Sequence, residues 1–474
     1  MNVRKILSLI IALSWFSSPL LAASPSPRQP NFIVIFCDNL GYGDIGCFGS
    51  TKHRTPHIDN MAVEGIRLTD FYVASGVCTP SRASLMTGCY PRRVNMHISD
   101  TGGSVLQPVS PKGLHPDEIT IAEVLKQKDY STALIGKWHL GDQPELLPTR
   151  QGFDYYYGIP YSDDMTQRSG KPWPALPLMK NEQVIEAPAN RDTLTKRYTE
   201  ESIRFIKSCG DKPFFLLLSH AMPGSTQQPY ASAAFQGKSA NGKYGDSVEE
   251  IDWSTGQILS AIKELGLDEN TLIMWTSDNG APRRNPEQGS SGPLRGWGYS
   301  TFEGGMRVPC IVRWPGRIKP GSSSSEILST MDLLPTFANL AGAKAPQDRV
   351  LDGKDIWPVL SNQANARSPH QAFYYYHRDQ LQAVRSGKWK LYLALAGKEV
   401  QGRQRAGQKL ELYDLQSDIG ETNDIAADHL AVVKRLQAFA NQAREDLGDA
   451  GREGKNQRPA KFTEQVSART LPEK

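Results

Sequence analysis

One short stretch of the chain combines a cysteine, a proline and an arginine at the start of a segment that favours helix. It reads V-C-T-P-S-R-A-S-L-M-T-G from Val77 to Gly88. Pro80 suits the first turn of a helix, where a missing N–H group costs nothing, so we expect Cys78 at the helix N-terminus and Arg82 one turn later. The unpaired N–H groups and the helix dipole favour an anion beside the sulfur atom. The alternative interpretation is a buried structural cysteine.

Two Asp-Asn pairs offer oxygen ligands and no soft donors. Asp38-Asn39 and Asp278-Asn279 each follow an apolar run that is typical of a buried strand. Oxygen-only ligation selects a hard cation, Ca²⁺ or Mg²⁺, over zinc. Asp and Asn also close turns after strands, so either pair alone has a purely structural interpretation. Both pairs at one edge of a sheet would predict a metal site.

Lys137, His139 and His220 supply further cationic and acid–base groups. Cations, a metal ion and a helix N-terminus at one point suit a tetrahedral oxyanion ester, either phosphate or sulfate. A cysteine hydrolase with a thiolate activated by Arg82 is a rival hypothesis. It fits poorly, because acyl transfer needs no hard cation beside the thiol. Lys137 could instead be solvated, and either histidine could be a core residue.

Alternating helices and buried strands predict an α/β fold with a large mixed, mostly parallel sheet covered by helices on both faces. Ligands of such sheets bind outside the carboxyl ends of the strands. Because the polar groups above follow four separate strands, this topology gathers them on one rim. The predicted strands are 32–36, 131–135, 214–218 and 272–275, and the predicted helices between them are 120–128, 199–207 and 247–265.

Composition and the chain ends bound the function further. Residues 1–23 combine basic residues, a short apolar run and small residues, which predicts a signal peptide and hence a secreted or periplasmic protein without stable membrane insertion. The alternative is an N-terminal membrane anchor. A formal charge of +4 is too weak to indicate nucleic-acid binding. The six cysteines fit no zinc pattern.

The rest of the chain divides into three predicted parts. Residues 30–360 form the predicted catalytic domain, and residues 366–450 form a smaller C-terminal module of antiparallel sheet plus helix. The polar tail, residues 451–474, is predicted to be disordered or loosely attached.

These motifs resemble the type I sulfatases, of the arylsulfatase and glycosaminoglycan-sulfatase kind, within the alkaline phosphatase superfamily. The stretch at Cys78 is similar to the signature in which the cysteine is oxidised to formylglycine. The resemblance extends over residues 31–447 and includes G-K-W-H-L-G at 136–141, T-S-D-N-G at 276–280, F-E-G-G-M-R-V-P at 302–309 and E-L-Y-D-L at 411–415.

The resemblance implies a nucleophile and an ion. A maturation enzyme would convert Cys78 to formylglycine, and a hydroxyl of the hydrated aldehyde would attack sulfur. Arg82 would steady the hydrate, and Lys137 would contact both the hydrate and the sulfate. The implied Ca²⁺ ligands are Asp38, Asn39, Asp278 and Asn279, together with residue 78.

The resemblance also implies the acid–base groups. His139 would be the base that helps to expel sulfate, and His220 would protonate the leaving alcohol. Two departures from the family pattern stand out. The second of two usual aspartates is Asn39, and a usual sulfate-clamping lysine is replaced by Gly298, for which Arg295 is the suggested substitute.

Specificity is expected to come from loops after the strands. Ser162, Asp163 and His97 are the predicted substrate-binding residues alongside Arg295, and the other predicted pocket residues are Asp164, Trp297, Tyr299 and His377. The resulting hypothesis is a secreted Ca²⁺-dependent sulfatase acting on a sulfated carbohydrate or an aryl sulfate. The alternatives are a phosphodiesterase or phosphonate monoester hydrolase of the same superfamily, and a catalytically silent protein that binds anionic glycans.

Overall fold

The structure is a computed structural model that describes residues 28–285, 287–395 and 409–472. The predicted signal peptide, residues 1–23, lies outside the described residues. Within that described part of the chain, every helix is too short or too polar to cross a membrane.

A mixed sheet of ten strands forms the centre of the described chain. The first thirteen strands are β1 (Asn31–Asp38), β2 (Ile66–Leu68), β3 (Phe71–Tyr72), β4 (Lys112–Gly113), β5 (Ser131–Gly136), β6 (Tyr155–Gly158), β7 (Leu178–Lys180), β8 (Gln183–Glu186), β9 (Phe214–Pro223), β10 (Thr271–Ser277), β11 (Cys310–Arg313), β12 (Ser322–Ser324) and β13 (Leu328–Ser329). The large sheet has the order β12-β2-β11-β10-β1-β9-β5-β6-β7-β8. Strands β10, β1, β9, β5 and β6 are parallel and form its middle.

Helices cover both faces of this sheet. The α-helices of the described chain are α1 (Pro56–Glu64), α2 (Cys78–Thr87), α3 (Ile121–Lys126), α4 (Leu194–Cys209), α5 (Gly242–Glu264), α6 (Glu303–Met306), α7 (Leu333–Leu340), α8 (Trp357–Leu360) and α9 (Leu430–Asp446). Helices α2, α3 and α7 share one apolar core with Phe32 and Phe36, whereas α1, α4 and α5 share the other with Ile33 and Ile35. This arrangement confirms the predicted α/β fold.

The sequence explains where the central elements begin and end. All eight residues of β1 are buried because both faces of the strand are covered, which accounts for its continuous apolar run. Helix α2 begins at Cys78 as expected and ends at Thr87, and the left-handed φ of 66° at the capping residue Gly88 lets its N–H donate to Ser84 O.

Strand β9 differs from its prediction. The sequence predicted a strand over residues 214–218, but the strand continues to Pro223. Ser219 and His220 interrupt the apolar run without interrupting the pairing, because Ser219 still lies opposite Phe36 of β1 and Gly136 of β5. The loop at the carboxyl end of β9 is therefore Gly224-Ser225.

The C-terminal region forms a second, antiparallel sheet backed by α9. Its strands, followed by three short strands of the tail, are β14 (Phe373–His377), β15 (Gln380–Ser386), β16 (Trp389–Tyr392), β17 (Glu411–Asp414), β18 (Gly448–Asp449), β19 (Arg452–Glu453) and β20 (Lys461–Phe462). The first four pair in chain order as a meander. The domain boundary predicted between residues 360 and 366 stays a prediction.

The polar tail is attached, contrary to the expectation of a loose segment. Strand β20 pairs with β4, and the Arg458 guanidinium donates to the Glu118 carboxylate at 2.7 and 2.9 Å. These attachments are mainly backbone hydrogen bonds and an ion pair, and among residues 451–472 only Ala460 is buried in the apolar core. A single alanine gives no hydropathy signal, so a hydropathy pattern could not reveal the attachment.

Candidate active site

Cys78 lies at the N-terminus of α2, facing the end of β1. Its side chain is buried, and Sγ lies 3.2 Å from Asp38 Oδ1 and 4.0 Å from Asn39 Oδ1. The helix start predicted from Pro80 is what brings the sulfur atom to the carboxyl end of the central strand.

Arg82 connects the ends of β1 and β10 from one turn further along α2. Its Nε and Nη2 donate to Asp278 Oδ2 at 3.0 and 2.7 Å, and Nη2 also lies 3.3 Å from Asp38 Oδ1. Its Nη1 donates to Ser219 Oγ at 2.6 Å and to the backbone oxygen of Lys137 at 3.0 Å. The guanidinium fork thus fixes two carboxylates at once.

Lys137, which directly follows β5, completes a charge-balanced group. Its Nζ donates to Asp38 Oδ1 at 2.7 Å and to Ser162 Oγ at 3.3 Å, with its side chain fully buried. Two carboxylates, Asp38 and Asp278, therefore face two cations, Arg82 and Lys137. A divalent cation added to this group leaves an excess of positive charge for an anionic substrate.

Burial and neighbouring charges shift the ionisable groups of this cluster. Burial raises the pKa of Asp278 to about 7, and the Asp38 charge adds to that rise. Burial would also raise the pKa of Asp38, but Lys137 and Arg82 together lower it. Burial, followed by the Asp278 and Asp38 charges, raises the pKa of the Cys78 thiol well above its ordinary value. The geometry thus does not supply the activated thiolate that a cysteine hydrolase needs.

His139 lines the same cavity, and one of its two ring nitrogens is hydrogen-bonded to the protein backbone. Its Nε2 lies 3.0 Å from Leu106 O, so Nε2 carries the hydrogen, and Nδ1 is buried without a hydrogen-bond partner among the described residues. Burial lowers the His139 pKa well below its ordinary value, and the Lys137 charge lowers it further. The ring is therefore neutral, with a lone pair available at Nδ1.

The oxygen atoms around Cys78 fit a hard cation. Ligand atoms of Asp38, Cys78 and Asp278 lie within 4.8 Å of one another. Asp38 Oδ2 and Asn279 Oδ1 are buried and have no hydrogen-bond partner within the described chain. Buried polar atoms without partners are costly, so this pair of oxygens indicates a place for an ion. Oxygen donors of this kind suit Ca²⁺ or Mg²⁺.

A cavity of about 690 Å³ opens above Cys78. The structure places four predicted residues in its wall, namely Ser162, Asp164, Tyr299 and His377, together with Cys78 and His139. The remaining lining residues are Val77, Ser104, Val105, Met165, Arg168, Ser225 and Arg378.

His220 does not lie at this cavity, contrary to the sequence prediction. Side chains alternate along β9, so Ser219 faces Arg82 and His220 faces the opposite side of the sheet. There its Nε2 lies 3.2 Å from Ser254 Oγ on α5, and burial lowers its pKa to about 3. A proton donor at His220 therefore has no geometric support.

Three further predicted residues lie outside the cavity wall. Arg295 stacks on Phe302, 4.4 Å from the ring centroid, and its Nη1 donates to Glu421 O at 3.0 Å. His97 lies 3.3 Å from Arg92 Nη1, and burial lowers its pKa to about 3. Trp297 is likewise not part of the wall.

Asp163 is buried just behind Ser162. Both of its carboxylate oxygens lack hydrogen-bond partners among the described residues. Burial raises its pKa to about 8, with the Asp164 and Asp38 charges contributing. Asp163 is not among the residues that line the cavity, so substrate contact by Asp163 remains a prediction.

Sequence reasoning missed several residues of the site. Ser219 binds the Arg82 guanidinium, and Ser225 lies in the cavity wall. The true end of β9 would have indicated Ser225, because the loop after a parallel strand reaches the rim. Arg168 and Arg378 are exposed arginines at the cavity, and no motif distinguishes them from other surface arginines.

Comparison with known proteins decides the family. The "Sulfatase" family model matches residues 30–343, and the "N-sulphoglucosamine sulphohydrolase, C-terminal" model matches residues 299–446. The chain belongs to the sulfatase family. It is accordingly a sulfuric ester hydrolase, and the resemblance found from the motifs is confirmed.

Individual sulfatases support this assignment over most of the chain. Arylsulfatase A of Homo sapiens is 37% identical over 458 residues, covering 88% of each chain. N-acetylgalactosamine-6-sulfatase of Mus musculus is 38% identical over 390 residues, covering 79% of this chain and 74% of the relative. The PsFucS1 sulfatase structure from Pseudoalteromonas sp. is 29% identical with a TM-score of 0.77, covering 88% of this chain and 90% of that one.

Proposed function

We propose that this sulfatase acts on a sulfated carbohydrate, with a formylglycine made from Cys78 as nucleophile and a Ca²⁺ ion as cofactor. The observation that carries the proposal is the convergence on Cys78 of two carboxylates, Asp38 and Asp278, and two cations, Arg82 and Lys137, below an open cavity.

Asp38, Asn39, Asp278 and Asn279 would hold the ion. The buried oxygens Asp38 Oδ2 and Asn279 Oδ1 support this assignment. When bound, Ca²⁺ supplies Lewis-acid stabilisation of charge on a sulfate oxygen. Arg82 binds both Asp278 and Asp38, so the protein itself holds these two carboxylates in place for the ion.

Residue 78 would carry the nucleophile after oxidation by a formylglycine-generating maturation enzyme. The hydrated aldehyde supplies a hydroxyl nucleophile that a thiol does not. Lys137 Nζ donates to Ser162 Oγ in the cavity wall, so its ammonium would bind a sulfate oxygen there. His139 would accept a proton at Nδ1, the nitrogen that Leu106 O leaves uncommitted.

The cavity mouth supports an anionic carbohydrate as substrate. Arg378 Nε donates to Ser104 Oγ at 2.9 Å, and Arg168 stacks on Trp173 with its guanidinium 4.6 Å from the ring centroid. Both arginines are exposed at the opening and would attract a polyanionic sugar. The signal peptide predicted from residues 1–23 supports a secreted or periplasmic location.

Replacing Cys78 by alanine tests the proposal. We expect Cys78→Ala to lower kcat for an aryl sulfate by about 10⁴–10⁶-fold, the scale seen when a nucleophile is removed. Cys89→Ala is the matched control, because Cys89 is another buried cysteine in the α2 core. Mass spectrometry of the peptide containing residue 78 should show formylglycine in active protein.

Two results would contradict the proposal. Undiminished turnover by Cys78→Ala would exclude residue 78 as nucleophile. Faster hydrolysis of an aryl phosphodiester than of the aryl sulfate would favour the phosphodiesterase alternative.

A further inference from the structure

The leaving oxygen of a sulfate ester needs a proton donor that the cavity must supply. Expulsion of a sugar alkoxide is unfavourable without one. His220 faces the other side of the sheet, and His139 presents a bare Nδ1, which accepts rather than donates. Ser162 Oγ accepts a hydrogen bond from the Lys137 ammonium. Among the cavity residues, the hydroxyls of Ser225 and Tyr299 form a hydrogen-bonded pair.

We propose that the Tyr299 hydroxyl, supported by Ser225 and Asn39, protonates the leaving oxygen of the sulfate ester. The inference rests on the proposed function, since it names the acid for that same reaction. No sequence motif singles out either hydroxyl for this role.

A chain of hydrogen bonds links this hydroxyl to the end of β1. Asn39 Nδ2 donates to Ser225 Oγ at 2.9 Å, and Ser225 Oγ lies 3.0 Å from Tyr299 Oη. Because the amide occupies a lone pair of Ser225, the serine O–H can donate to Tyr299 Oη. The phenol hydrogen is then directed away from Ser225.

The backbone around Tyr299 is held in an unfavourable conformation. Tyr299 has a left-handed φ of 71°, which a bulky residue adopts only when its surroundings impose it. Its N–H donates to Gly76 O at 2.8 Å, two residues before Cys78, and the neighbouring Gly298 N–H donates to Ala281 O at 2.8 Å. The loop therefore ties Tyr299 both to the start of α2 and to the end of β10.

Gly298 explains why a hydroxyl rather than a lysine serves this side of the cavity. A Cβ atom at residue 298 would lie 2.2 Å from Gly280 O, so any side chain there would displace the backbone. The loop instead presents the adjacent Tyr299 to the cavity.

The proposed step balances. As sulfur forms its bond to the nucleophile at position 78, the bond between sulfur and the leaving oxygen breaks. The electron pair of the broken bond stays on the leaving oxygen, which takes the Tyr299 proton and departs as the alcohol. Tyr299 is left as a phenolate that accepts the Ser225 hydrogen bond, and the proton that the nucleophile gives up returns to it through water before the next turnover. Burial raises the pKa of Tyr299, so the phenol is protonated at neutral pH.

Leaving-group dependence tests this role. We would compare wild type with Tyr299→Phe and Ser225→Ala on a series of aryl sulfates with progressively more basic phenols, and on a sugar sulfate. Tyr299→Phe should lose about 10²–10³-fold in kcat/KM on the sugar sulfate and less than about tenfold on 4-nitrophenyl sulfate, because only a poor leaving group needs the proton. Ser225→Ala should show the same trend with a smaller loss.

Tyr198→Phe is the matched control, because Tyr198 is a buried tyrosine of α4 outside the cavity, with no hydrogen-bond partner for its hydroxyl among the described residues. It should retain the wild-type dependence on leaving group. The proposal would be overturned if Tyr299→Phe lost the same factor on every substrate or lost no activity. It would also be overturned if His377→Gln, rather than Tyr299→Phe, made kcat/KM depend more steeply on the leaving group. If Tyr299→Phe unfolds, the trend in Ser225→Ala decides. Wild-type protein that hydrolyses no sulfate ester would overturn the proposed function itself.

Discussion

Asn39 is the residue of the proposed metal site that departs from the two adjacent aspartates implied by the resemblance to type I sulfatases. Its Oδ1 accepts from Asn279 Nδ2 at 2.5 Å, and its N–H donates to Asp278 Oδ1 at 3.0 Å. Its Nδ2 supports Ser225, which a carboxylate could not do as a donor. Compared with aspartate, asparagine at position 39 thus removes one negative charge from the proposed ion ligands. It adds a hydrogen bond to Ser225, which contacts the proposed acid Tyr299.

Asn39→Asp should bind Ca²⁺ more tightly than wild type. A third carboxylate strengthens attraction to a divalent cation, and we expect at least a tenfold lower Kd, about 1.4 kcal/mol. Aspartate tolerates the left-handed φ of 62° at this position, so the backbone should be retained. The thermal midpoint measured during a Ca²⁺ titration reports the affinity.

The same variant should be less stable than wild type in EDTA, because three buried carboxylates then repel one another. Asn60→Asp controls for the added charge, since Asn60 is exposed on α1. Equal Ca²⁺ affinities for Asn39→Asp and wild type would show that residue 39 does not face the ion.

At the scale of elements, β9 decides which groups reach the cavity. Its pairing with β1 places Ser219 opposite Phe36 on the α2 side, so His220 must face α5. Burial keeps His220 neutral, with its pKa lowered to about 3. The imidazole is therefore a structural hydrogen-bonding partner of Ser254.

His220→Gln should lower stability and leave catalysis intact. We expect a loss of about 1–3 kcal/mol in the free energy of unfolding from the disturbed buried hydrogen bond. The kcat of the folded fraction should stay within about threefold of wild type, because a general acid would cost about 10²-fold or more. Urea unfolding and steady-state kinetics measure the two effects.

Ser254→Ala removes the same hydrogen bond from the α5 side and should lower stability in the same direction. A hundredfold fall in kcat for His220→Gln with unchanged stability would restore His220 as the acid.

The elements that could be predicted from the sequence are those whose own residues show an apolar run or a helix-capping pattern. The apolar run of β1 and the Pro80 and Gly88 signals of α2 predict both elements, and their meeting point predicts Cys78 beside Asp38. The predicted end of β9 was wrong because the strand continues through Ser219 and His220 and stays paired with the neighbouring strands. Arg378 reaches the cavity through a distant hairpin, between β14 and β15, and no local pattern encodes that contact.

At the scale of the whole molecule, buried charges join the C-terminal sheet to the loop that presents Tyr299. Lys390 of β16 is fully buried, and its Nζ lies 2.8 Å from Glu303 Oε1, 3.0 Å from Glu421 Oε1 and 3.0 Å from Thr301 O. Burial would raise the pKa of Glu303, but Lys390, Arg385 and Arg307 lower it. The Lys390 ammonium thus binds the carboxylates of Glu303 and Glu421 and the backbone oxygen of Thr301, two residues after Tyr299.

Lys390→Met should therefore weaken both stability and activity. Removing one partner of a buried ion pair leaves an uncompensated charge, which costs about 3–5 kcal/mol. Lys388→Met is the matched control, because Lys388 is partly exposed, with its Nζ 2.6 Å from Asp414 Oδ2, and such surface pairs contribute about 0–1 kcal/mol. Urea unfolding measures the difference between the two variants.

The activity of Lys390→Met shows whether Lys390 positions the loop that presents Tyr299 or only stabilises the fold. If Lys390 holds the Thr301 backbone in place, its loss loosens the loop that presents Tyr299, so kcat/KM on a sugar sulfate should fall more than on 4-nitrophenyl sulfate. If the C-terminal sheet only stabilises the fold, both substrates should lose equally. A Lys390→Met protein as stable as Lys388→Met would mean that this buried ion group does not couple the C-terminal sheet to the loop that presents Tyr299.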